Sequence, residues 1–384
     1  MILLVAALAV SLAPGRAEAA RGDRRAFSGK GMWIWQLERS SGGRLGAIAG
    51  LARRNGVRTV FVKSSDGGRN YWRQFSRTLV RTLSRRGLRV CAWQYVYGRD
   101  PIGEARLAAR AVRTGADCLI IDAETEYEGR YGPAVTYIRA LRNRIGNRYP
   151  VGLTGFPYVD FHPAFPYSVF LGPGGAQFNL PQMYWKAIGT STTAVFRRTF
   201  RTNRPYGRPI APLGQLYQDP PLAQIRRFRS LARSYGARGT SWWVWQDASR
   251  REWGAVGGGA RAAAGAGGRP ARGLLGLRKG SKGDLVVWAQ EHLAASGRRL
   301  RIDGGFGART QRAVRRFQQL KGLRATGVID TRTWRALLRY TPVRVRWDRK
   351  PRGGVRAAGA EPRSGPPSAW LPARRNELGR AGPK

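Results

Sequence analysis

The chain has 384 residues, 42% of them hydrophobic, so it can hold two domains and bury a sizeable core. It carries 69 Lys and Arg against 22 Asp and Glu, a formal charge of +47, which attracts polyanions such as nucleic acid, anionic cell-wall polymers or acidic lipid headgroups. Only 8 of those bases are Lys, a skew toward Arg that GC-rich coding can produce, and no nucleic-acid-binding motif accompanies it, which argues against a specific nucleic-acid binder.

The chain begins "MILLVAALAVSLAPGRAEAA", a short apolar run followed by the A-x-A pattern Ala17-Glu18-Ala19. This reads as a secretory signal peptide over residues 1–19. The run is shorter than the ~20 residues needed to span a bilayer, and no later segment is long enough, so no membrane span is expected after its removal. Short apolar strands then recur: "MWIWQ", "TVFVKSS", "RVCAWQYV", "DCLIIDAE", "PVGLTGF", "AQFNLPQMYW", "RPIAPLGQLY" and "GTSWWVWQD". Most gaps carry helical patterning, and Gly56, Gly87, Gly115 and Gly236 sit where left-handed helix caps belong. Eight strand–helix units predict an α/β fold, a (β/α)8 barrel over residues 31–253, rather than an open doubly wound sheet, because no Gly-rich phosphate loop follows the first strand. Cys91 and Cys118 lie in apolar runs and are expected as buried free thiols. With two His and no C-x-x-C, no structural zinc site and no cofactor are expected.

Residues 254–274, "GAVGGGARAAAGAGGRPARGL", read as a flexible Gly/Ala-rich linker. A small all-α domain follows at 275–340, with an internal echo at an offset of 23: "DGGFGARTQRAVRRF" aligns with "TGVIDTRTWRALLRY". Each copy is a turn and an amphipathic helix; with "DLVVWAQEHLAASG" they predict a three-helix bundle. The basic tail, 341–384, is rich in Pro, Gly and Arg and is expected to be disordered.

Two resemblances follow from these runs. The C-terminal domain resembles the type-one peptidoglycan-binding domain through "LRKGSKGDLVVWAQEHLAASG", "IDGGFGARTQRAVRRFQQLKGL" and "TGVIDTRTWRALL". It departs from that pattern at Ala289, Thr326 and Asp330. The barrel resembles glycoside hydrolase family 25, the muramidases, through "FVKSSDGGRNY", "LIIDAE" and "WVWQDAS", placed on the second, fourth and eighth strands. It departs where that family has a first-strand Asp; here Trp33 stands. The resemblances imply a secreted, cell-wall-associated protein that binds peptidoglycan; the charge adds anionic wall polymers as partners, and a monomer is expected. Its activity would be cleavage of glycan strands, the alternative being a non-catalytic wall-binding protein.

The acidic run "CLIIDAETEYE" supplies the chemistry such an enzyme needs. Alternation points Asp122 and Glu124 the same way, roughly 7 Å apart along the strand. At the C-terminal end of a barrel strand they would face the catalytic mouth. Glu124 is assigned as general acid; Asp122 would stabilise charge or orient the substrate's acetamido group, which could itself attack the anomeric carbon. Gln182 and Tyr184 are expected across the mouth, with Tyr184 on the acetamido oxygen. Trp33, Trp35 and Trp245 are candidate sugar platforms, alongside Lys63, Gln94 and Asp247. Glu126 and Glu128 are read as loop residues paired with Arg, and His162 as a surface residue.

Overall fold

The computed structural model describes residues 22–258 and 273–347. The expected signal peptide, most of the expected linker and the tail beyond residue 347 lie outside the described residues.

All eight expected strands form: β1 (Gly29–Ile34), β2 (Val57–Asp66), β3 (Arg89–Val96), β4 (Cys118–Ala123), β5 (Val151–Gly155), β6 (Phe178–Pro181), β7 (Leu213–Gln215) and β8 (Gly239–Trp243). Their sequences are apolar almost without alternation because both faces are covered. The strands run parallel in the order β6-β5-β4-β3-β2-β1-β8-β7. The ring closes between β6 and β7 through two isolated parallel bridges, Asn179 with Ile210 and Gln182 with Leu213. That seam is the least continuous ladder of the barrel. A two-residue return strand, Asn70–Tyr71, pairs antiparallel with the end of β2.

The helices α1 (Leu45–Arg54), α2 (Arg77–Arg85), α3 (Pro101–Arg113), α4 (Tyr131–Ile145), α5 (Tyr167–Phe170), α6 (Thr192–Asn203), α7 (Leu222–Ser234) and α8 (Arg250–Gly257) follow the strands in turn. Gly56, Gly87, Gly115 and Gly236 all have positive φ, between 67° and 112°, the backbone state their helix-capping role requires. Helix α8 carries regular structure to Gly257, four residues past the boundary expected at 253.

Two apolar layers hold the barrel. Inside, Trp33, Phe61, Trp93, Ile120, Phe178, Leu180, Leu213 and Trp243 fill the ring. Outside, a larger cluster packs strand faces against helices. The interior also holds a correction: Cys91 and Cys118 are joined as a disulfide. Parallel register sets the two residues directly opposite on β3 and β4, with Cα atoms 4.6 Å apart, inside the range a disulfide spans. Sequence patterning shows that both thiols are buried but not that two strands bring them together.

The C-terminal domain is the expected bundle: α9 (Asp284–Ala295), α10 (Ala308–Leu320) and α11 (Thr331–Leu337). The internal echo has a hydrogen-bond basis. Gln290 on α9 accepts from the amides of Asp303 and Gly304 and donates to Thr310 Oγ1; Gln318 on α10 accepts from the amide of Gly327 and donates to Thr333 Oγ1. Each helix thus holds the turn that starts the next. Two of the three departures from the family pattern keep hydrogen-bonding roles in these turns. Thr326 Oγ1 accepts from the amide of Val328, as Asp303 accepts from that of Gly305, and Asp330 caps α11 by accepting from the amide of Thr333.

This domain is docked on the barrel. Every residue of α9 from Asp284 to Leu293 is buried, part of it against the domain's own core and part against the barrel. The Asp284 carboxylate accepts from Tyr131 Oη (2.9 Å), Tyr206 Oη (2.7 Å), Ser168 Oγ (2.7 Å) and the Ser168 amide (2.8 Å). Trp288 donates from Nε1 to the Pro205 carbonyl at 2.7 Å. The residues following α11 also pack: the Val343 amide donates to the Glu291 carbonyl, and the Trp347 ring lies 4.7 Å from that of Tyr131. Residues 341–347 are therefore packed rather than disordered as their composition suggested.

Candidate active site

The acidic run builds the mouth. On β4, Cys118 and Ile120 face the interior, so Asp122 does as well. Glu124 follows with an extended backbone (φ −130°, ψ −147°) that continues the alternation. Gln182, one residue beyond β6, donates from Nε2 to Asp122 Oδ1 and to Glu124 Oε1, both at 3.1 Å. One amide nitrogen carries two hydrogens, and each carboxylate takes one. Gln182, expected across the mouth, thus reaches both acids, with Asp122 and Glu124 each only 2% exposed.

A bulge on β2 extends the acidic edge. Pairing with β3 runs Lys63 opposite Trp93 and then Ser65 opposite Gln94, skipping Ser64, whose hydroxyl donates to the Trp93 carbonyl. The extra residue puts Lys63 and Asp66 on the same side, where they form an ion pair at 3.0 Å. The Lys63 ammonium stands 4.1 Å from the Trp93 ring centroid, with Tyr95 and Trp72 further out. Asp66 also accepts from Tyr97 Oη, and Glu126 accepts from Tyr95 Oη, each at 2.9 Å. Burial pushes the Tyr95 phenol far above its ordinary range, and the charges of Glu124, Glu126 and Asp122 push it further, so it acts as a neutral donor. Tyr97 is raised for the same reasons, by burial and then by Asp66.

Asp66, Tyr95, Tyr97 and Glu126 were not among the residues expected at the site. "FVKSSDGGRNY" and "AWQYVYG" contain three of them, but strict alternation from Lys63 points Ser65, not Asp66, inward. Only the bulge reverses that. Glu126 and Glu128 were expected to pair with Arg; their partners are Tyr95 and His162, the latter 2.6 Å from Glu128 and stacked on Phe156.

Other candidates fall elsewhere. Gln94 points outward: its amide nitrogen donates to the carbonyls of Gly67 and Glu104 and its oxygen accepts from Tyr137 Oη, so it ties the strand to the helix layer. Trp245 packs edge-on to Trp253 in the outer cluster and donates to Ser41 Oγ. Trp33 is interior but only 1% exposed, stacked on Phe61 with Nε1 donating to Ser241 Oγ, so it is barrel filling. Trp35 is partly buried and stacks on Trp243. Tyr184 joins the interior cluster, edge-on to Tyr217. Asp247 is exposed on the short turn after β8. Among the described residues no group of His, Cys, Asp and Glu is arranged to hold a metal ion, and no helix is long and apolar enough to cross a membrane.

Residues 282–337 match the family model described as "Putative peptidoglycan binding domain". No curated protein matches the chain. A solved peptidoglycan-binding protein from Clostridioides difficile is 41% identical over 16% of this chain and 40% of its own, with a TM-score of 0.16. The chain therefore spans well under two thirds of that relative. Over the barrel, the spore cortex-lytic enzyme SleL of Bacillus megaterium is 8% identical, covering 64% of this chain and 75% of its own, with a TM-score of 0.45. A chitinase from Chromobacterium violaceum is 11% identical, covering 60% and 98%, with a TM-score of 0.42.

Proposed function

We propose that the chain is an exported, muramidase-like glycoside hydrolase that cleaves peptidoglycan glycan strands and is held on the wall by its C-terminal domain. The observation that carries the catalytic part is the Gln182 amide bridging Asp122 and Glu124 where β4 and β6 open at the barrel mouth. In this reading Glu124 gives its proton to the glycosidic oxygen as the bond to the anomeric carbon breaks. Asp122 stabilises the positive charge that develops or orients the substrate's acetamido group. No acid replaces Trp33 on β1, so the acetamido oxygen is the nucleophile this site would use, with water opening the resulting ring. Tyr95, held neutral, is a donor beside the pair. The family match over residues 282–337 supports attachment to peptidoglycan. A buried disulfide, a bond that persists in oxidising compartments, supports export along with the A-x-A pattern.

A second reading, a glycan-binding barrel without catalysis, is favoured by the 2% exposure of both carboxylates and by Trp33 in the place of an acid. Incubating the purified protein with peptidoglycan stripped of anionic polymers separates the two. New reducing ends are expected from the first; intact glycan after long incubation, with the protein sedimenting alongside it, establishes the second.

A further inference from the structure

The C-terminal domain carries an arginine-lined groove to which no barrel residue contributes. Docking uses α9; the groove, about 1290 Å³, runs between α10 and the loop that follows α9. Seven of its twelve lining residues are Arg, and none is Asp or Glu. The chain as a whole has 61 Arg in 384 residues, about one in six, so general Arg richness does not account for this lining. One wall is a helical row, Arg309, Arg312 and Arg316, each exposed and spaced three and four residues apart, which a 1.5 Å rise spreads over roughly 10 Å of one helix face. The other wall is Arg298, Arg299 and Arg301. The Arg298 Nε is buried and has no hydrogen-bond partner among the described residues.

Like charges gathered this closely repel unless an anion lies between them. Guanidinium forks match phosphate oxygens in pairs, and a straight row of them suits evenly spaced charges on one extended chain. Peptidoglycan carboxylates, by contrast, are scattered over branched peptide stems. From this row and its facing wall we propose that the groove binds a linear phosphodiester polymer of the cell wall, a second attachment separate from the domain's hold on peptidoglycan. It does not depend on the barrel's chemistry.

The test uses the full chain, with poly(glycerol phosphate) as the probe at 0.15 M salt. The triple variant Arg309→Gln, Arg312→Gln, Arg316→Gln is compared with a control of equal charge change on exposed positions of α2: Arg77→Gln, Arg81→Gln, Arg85→Gln. The groove variant should lose about tenfold or more in affinity, the control about twofold or less, and both should sediment normally with stripped peptidoglycan. Equal losses in the two variants would show diffuse attraction and overturn the site. Loss of stripped-peptidoglycan binding in the groove variant would make the groove part of the peptidoglycan site instead. Loss of duplex DNA binding with poly(glycerol phosphate) binding retained would make its occupant a nucleic acid.

Discussion

The chain buries acids both at the barrel mouth and where the C-terminal domain docks, and it satisfies them differently. At the mouth the Gln182 amide bridges two carboxylates, Asp122 and Glu124. At the interface a single carboxylate, Asp284, collects two phenols, a hydroxyl and a backbone amide. Even so, burial dominates at Asp284: it raises the pKa to about 6, against the lowering effect of its four donors. The interface acid is fixed by its surroundings. The mouth acids are tied to each other through one shared side chain, as the proposed reaction centre would require.

The comparison is broken most sharply by Glu124→Gln. The side-chain volume stays and the carboxylic proton is lost, so glycan cleavage should fall by about 100- to 10,000-fold with wall binding unchanged. Muropeptide release and melting temperature measured together decide it: full activity in the variant would make the mouth pair structural as well. Gln182→Leu should come next. Removing the shared donor leaves two buried carboxylates facing an apolar side chain, and activity should fall more than about tenfold, with a stability loss of roughly 1–3 kcal/mol. A variant that melts and cleaves like the parent would show that the bridge positions nothing.

Asp284→Asn should act only on stability. An amide nitrogen cannot accept the bonds that one carboxylate oxygen now takes from the Ser168 amide and Tyr206, so roughly 1–3 kcal/mol should be lost. Cleavage of soluble glycan fragments should stay at the parent rate; a parallel loss of activity would mean that docking shapes the mouth. The remaining effect concerns pH. Burial raises Glu291 to about 9, assisted by the charge of Asp284. An acid whose folded pKa lies above its unfolded value stabilises the fold while protonated. Its contribution declines as pH rises from the unfolded value, near 4.5, to the folded one. Stability, and the melting temperature with it, should therefore fall between pH 5 and 9, with this group contributing no more than about 1.4 kcal/mol per pH unit. Glu291→Gln should flatten that slope; parallel curves for variant and parent would remove Glu291 from the account.

The barrel was readable because its signals are local: eight apolar runs, intervening helical patterns, and four glycines at helix ends. The bundle was readable for the same reason, and its echo marks the two turns that Gln290 and Gln318 hold. Asp122, Glu124 and Gln182 could be placed because simple alternation survives at the ends of β4 and β6. Alternation failed on β2, where Ser64 is an extra residue and Asp66 turns inward against the count. Gln94 lies between the inward-facing Trp93 and Tyr95, so alternation itself points it outward, where it is found. The disulfide and the docking of α9 were not readable, since both depend on which distant segments become neighbours. A helix as apolar as "LVVWAQEHL" inside a small domain carries a hint, because one small bundle has too little interior to cover all its sides.

The disulfide and the seam together give the mouth a stiff side and a soft side. Cys91 lies four residues before Tyr95 on β3, and Cys118 four residues before Asp122 on β4, so the covalent cross-brace sits directly beneath the acidic edge. Those two strands cannot splay. Across the ring, β6 and β7 meet only at isolated bridges, and one of these is made by Gln182 itself. The least continuous part of the rim therefore coincides with the residue that joins the two acids. If the proposed glycan cleavage takes place here, the braced strands hold the backbones of both acids in register, while the side chain that joins them sits at the least continuous ladder of the ring.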